Sequence, residues 1–109
     1  STKLYAAQSQ KINFILLFFY MTLEEAKILT REYINNLEDA IYKEKSAVAD
    51  LEKASDLFVS LSLRFTSDEK MRLEHATSAR SCDLSAISHK KNIEKIELRM
   101  EALKILLSF

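Results

Sequence analysis

The 109-residue sequence contains neither glycine nor proline. Glycine supplies the positive φ angles of many tight turns, and proline fixes the geometry of others. A sheet with several hairpins needs such turns, whereas a few long helices do not. The sequence therefore predicts an all-α protein. The absence of glycine also excludes a P-loop and a dinucleotide-binding fingerprint, because both need glycine where the backbone approaches phosphate.

Two short motifs mark the starts of long helices. TLEE at 22–25 and TSDE at 66–69 both have the form of a capping box, in which a threonine oxygen accepts from the amide three residues on. Nothing between them breaks a helix. We predict helices at about 2–20, 23–65 and 67–109, all in one domain, 1–109. The link between the second and third helices is short, which favours an antiparallel hairpin.

The third predicted helix carries an apolar row with steps of three and four residues. Its members are Ala79, Cys82, Ala86, His89, Ile93, Ile96, Met100, Leu103 and Leu107. Such a 3.5-residue repeat is typical of a coiled-coil-like seam. A similar but less regular row runs from Ile34 to Phe65 on the second helix. Antiparallel pairing of the two rows places Phe58 near His75, and it predicts a hydrogen bond between Glu44 and His89.

The segment at 12–21, INFILLFFYM, is apolar on every side except at Asn13. A helix that is apolar all round has to be buried all round. Ten residues are too few to span a bilayer, which takes about 20, and no small-residue cleavage pattern follows them. We therefore predict that this shorter N-terminal helix packs on the base of the hairpin, where the chain forms a three-helix bundle. We do not expect a membrane as a partner.

One hairpin cannot surround such a helix, so we also predict a homo-oligomer, with a dimer favoured. The residues expected to mediate self-association are apolar and lie in the N-terminal segment and at the C-terminal end. They are Ile12, Phe14, Ile15, Leu16, Phe18, Phe19, Leu103, Leu106, Leu107 and Phe109.

The only cysteine and both histidines lie seven residues apart, at His75, Cys82 and His89. Metal ligands on one helix usually lie three or four residues apart, whereas seven residues span about 10.5 Å along the axis. A cysteine nucleophile needs a base within about 3 Å, and no histidine lies on an adjacent turn. We therefore predict no metal site, no catalytic residue and no cofactor, and we interpret the spacing as that of packing.

Small residues surround these three positions on the same helix. Two interpretations stay open: close packing of the two long helices, or a shallow groove that accepts a partner's amphipathic helix. The residues expected to line such a partner groove are His75, Ala79, Cys82, Ala86 and His89.

Charge gives little support for nucleic acid as a partner, because 16 basic residues balance 16 acidic ones. A single free cysteine suits a reducing compartment, and we predict a cytoplasmic protein. Our first hypothesis is a non-enzymatic adaptor or assembly chaperone that dimerises and binds a partner helix. The alternatives are a self-assembling subunit of a filament or rod, and a hairpin dimer that binds nucleic acid.

Overall fold

The structure, a computed structural model, describes residues 22–109. Two helices account for nearly all of them: α1, Leu23–Arg64, and α2, Glu69–Leu107. Residues 22–109 contain no strand, so over these residues the prediction of an all-α protein with two long helices is confirmed. The third predicted helix, at about 2–20, lies outside the described residues. Contacts divide the chain into two compact units, Ser1–Tyr33 and Ile34–Phe109; the single domain stays a prediction.

The start of α1 has the predicted cap. The Thr22 hydroxyl oxygen accepts a hydrogen bond from the backbone amide of Glu25, at 3.1 Å. Glu24 and Glu25 lie in the first turn, where their charge suits the positive end of the helix dipole. The local sequence thus begins the helix where the capping motif indicates.

The start of α2 differs from the prediction. Thr66 does not cap the helix, because residues 65–67 form a turn and the cap is Asp68. The Asp68 carboxylate accepts from the backbone amide of Met71 at 3.2 Å. The prediction of a cap at Thr66 was wrong by two residues. Aspartate at least matches threonine as a cap, so the sequence offered two candidates in one turn.

In the second unit, the part of α1 from Ile34 onward packs antiparallel on α2, which confirms the hairpin. Ile34, Leu37 and Met100 form a buried cluster. Partly buried side chains complete this packing: Ile41, Ile96, Leu103 and Leu107. We call this end of the hairpin the base, and the end near the turn the tip.

Toward the tip, the buried side chains of α2 are small. Ala79 and Ala86 are each only 4% exposed. Val48 and Ser55 are buried on α1. Near the turn, the Ser62 hydroxyl donates to the backbone carbonyl of Arg72 at 3.0 Å, which joins the two helices. The hairpin is therefore held by bulky side chains at the base and, nearer the tip, also by close approach of the two helices at Ala79 and Ala86.

One long edge of the hairpin carries opposite charges on its two helices. Lys90 Nζ on α2 lies 3.0 Å from Glu52 Oε1 on α1. Closer to the base, Lys45 of α1 and Glu97 of α2 line the same surface depression. The Lys90–Glu52 pair favours the observed register, because a shift of a few residues along either helix would separate these two charges.

Candidate functional site

The five residues predicted to line a partner groove form one row on α2, which we call the seam row: His75, Ala79, Cys82, Ala86 and His89. Ala79 and Ala86 are buried, and the other three are half-buried. Both histidines contact side chains of α1, so the row lies along the helix–helix contact of the hairpin. The short side chains of the two alanines allow the close approach of α1.

His75 packs against two phenylalanines of α1. Its ring centroid lies 6.3 Å from that of Phe58, with an interplanar angle of 24°. The Phe65 ring lies 5.9 Å away and is tilted by 30°. The predicted pairing of Phe58 with His75 is confirmed. Contact with these two aromatic rings gives His75 a packing role near the tip.

His89 forms the side-chain hydrogen bond that the sequence predicted by name. Its Nδ1–H donates a hydrogen bond to Oε2 of Glu44 on α1. Both side chains are partly buried. The polar pair interrupts two otherwise apolar rows, and each group supplies the partner that the other needs inside the contact.

Cys82 is a half-buried free thiol between the two histidines. It lies two turns of α2, about 10.5 Å, from each of them. Within residues 22–109 no group of three His, Cys, Asp or Glu side chains is placed to hold a metal ion. His75 and His89 each face α1 with their own partners, so the spacing of seven serves packing.

The C-terminal residues predicted to mediate self-association fall into two groups. Leu103 and Leu107 pack against the core cluster at the base of the hairpin. Leu106 and Phe109 are 63% and 87% exposed. The N-terminal members, Ile12, Phe14, Ile15, Leu16, Phe18 and Phe19, lie outside the described residues. Among these C-terminal residues, Leu106 and Phe109 are therefore the two whose side chains are largely exposed.

A shallow groove runs beside the seam row near the tip, and we call it the tip groove. It is lined by Val59, Ser62, Leu63, Ala76, Ala79, Arg80 and Asp83. Val59 and Leu63 are exposed in it, and Arg80 and Asp83 place opposite charges along its side. One residue of the predicted partner groove, Ala79, lines the tip groove, whereas the other four lie outside its lining.

Our sequence reasoning missed an exposed apolar row on α2. Leu84, Ile87, Leu98 and Ile105 form this outer row, and they are 48–69% exposed. Their spacings of three, eleven and seven residues keep them within about 60° of one another around a helix of 100° per residue. The same geometry places them opposite the seam row. The sequence contains a sign of this row, because Leu84, Lys91, Leu98 and Ile105 follow one another at intervals of seven residues.

Comparisons of this chain with protein-family models, with curated proteins and with solved structures found no match. In the part of the chain that the structure describes, neither helix has a stretch long and apolar enough to cross a bilayer.

Proposed function

We propose that this chain is a non-enzymatic helical interaction module, an adaptor or assembly chaperone that self-associates and binds an amphipathic partner helix. The observation that carries the proposal is the placement of apolar side chains. Among residues 22–109, more large hydrophobic side chains are exposed than buried. Several of them lie together, on the outer row of α2 and in the tip groove. Groups of exposed apolar side chains favour protein–protein contact.

The N-terminal segment at 12–21 gives a second reason to expect self-association. In the proposed arrangement this segment forms a shorter helix on the base of the hairpin, which makes a three-helix bundle. Because the segment is apolar on nearly all sides, a second subunit covers what one hairpin leaves open. Leu106 and Phe109 are exposed near the same end and extend the apolar surface.

The tip groove is the place where we expect the partner helix to bind. Val59 and Leu63 offer apolar contacts, and Arg80 and Asp83 offer one charge of each sign. An amphipathic helix that places an apolar stripe on such a groove would resemble other helix-in-groove complexes. The seam row lies beside this groove and supports it, since its alanines keep α1 and α2 close together.

The size of the protein in solution tests self-association. Multi-angle light scattering over a hundredfold range of concentration is expected to show a dimer that reaches a constant mass. A chain that stays monomeric throughout would contradict the proposal. Continuous growth of the mass with concentration would instead favour the filament subunit, because only a contact that does not close on itself adds copies without limit.

A site-specific photo-crosslinker tests partner binding. The crosslinker is incorporated at Leu63, and the protein is expressed in its native cell. It should capture one protein through a helical segment, and mass spectrometry identifies both. The matched control carries the crosslinker at Asp50, an exposed position on α1 outside the tip groove. Capture of the same proteins from both positions, or of none from Leu63, would contradict a partner in the tip groove.

A further inference from the structure

We draw no further inference here: the strongest candidate, the exposed apolar surface patch formed by the outer row of Leu84, Ile87, Leu98 and Ile105 on the side of α2 opposite the seam row, carries none because nothing in the structure shows what covers it.

Discussion

His89 of α2 donates a hydrogen bond from Nδ1 to the Glu44 carboxylate of α1, across the contact between the two helices. About one turn closer to the tip, Ala86 of α2 and Val48 of α1 are both buried. A slip of either helix would leave a half-buried carboxylate and an imidazole without partners, at a cost of about 1–3 kcal/mol for each group. We infer that the pair helps to select one register of the hairpin.

A double-mutant cycle measures the coupling of this pair. His89→Ala and Glu44→Ala should each lower the free energy of unfolding by about 1–2 kcal/mol. The double variant should lose less than the sum, with a coupling of about 0.5–1.5 kcal/mol. Urea unfolding at one fixed protein concentration provides the values. Additive losses would show that the two side chains do not interact in solution.

The ion pair between Lys90 and Glu52 should behave differently, because each side chain is 54% exposed. Exposed pairs usually contribute about 0.2–1 kcal/mol, and salt screens them. We expect a coupling in this range from Lys90→Ala and Glu52→Ala in low salt, and almost none in 1 M NaCl. The His89–Glu44 cycle in the same two buffers is the matched comparison. An unchanged Lys90–Glu52 coupling in high salt would contradict a screened surface pair.

The cap of α2 gives a prediction that separates the structure from the sequence pattern. Asp68→Ala removes the carboxylate that accepts from the Met71 amide. It should cost about 1 kcal/mol of stability. Thr66→Ala, in the turn before the cap, should change the free energy of unfolding by less than about 0.5 kcal/mol. Thermal unfolding by circular dichroism distinguishes the two. A larger loss of stability from Thr66→Ala than from Asp68→Ala would indicate that Thr66 caps the helix, as the capping-box motif predicts.

Much of the hairpin was predictable from the sequence, since its causes are local or periodic. The seam followed from the 3.5-residue repeat, and the pairing of Phe58 with His75 followed from a short link between two long helices. The cap at Asp68 was missed because Thr66 and Asp68 both suit a helix start. The choice between them depends on where α1 ends, at Arg64, and on the turn that follows.

The outer row was missed for a different physical reason. Lys91, Glu94 and Lys95 interrupt its apolar residues, so the repeat is weaker than that of the seam. If one apolar stripe per helix is assumed, the more regular seam row is chosen, and the opposite side of α2 is expected to face solvent. Only the exposure of Leu84 and Leu98 in the folded hairpin separates the two stripes. The identity of a partner helix is not encoded in such a surface, because many amphipathic helices fit a shallow groove.

Overpacking tests whether the alanines set the distance between the helices. Ala86 is 4% exposed, so Ala86→Leu adds three carbon atoms to a filled contact. It should lower the free energy of unfolding by about 1–3 kcal/mol. Ala49→Leu makes the same change at an exposed position on α1 and should have little effect. Equal effects in urea unfolding would mean that α1 and α2 do not pack closely at Ala86.

Truncation of a core leucine tests the cluster at the base of the hairpin. Leu37 is buried beside Ile34 and Met100. Leu37→Ala removes apolar area and leaves a cavity, so it should cost about 2–4 kcal/mol. Leu57 is 66% exposed, and Leu57→Ala should change stability by less than about 0.5 kcal/mol.

A small domain has only about 5–15 kcal/mol of stability in total. The loss of about 2–4 kcal/mol expected for Leu37→Ala is a large part of that total, and it should lower the melting temperature by more than about 8 °C. Differential scanning calorimetry of both variants at one protein concentration measures the shift, and holding the concentration fixed removes any contribution from self-association. Equal melting temperatures for the two variants would contradict the assignment of Leu37 to the core and of Leu57 to the surface.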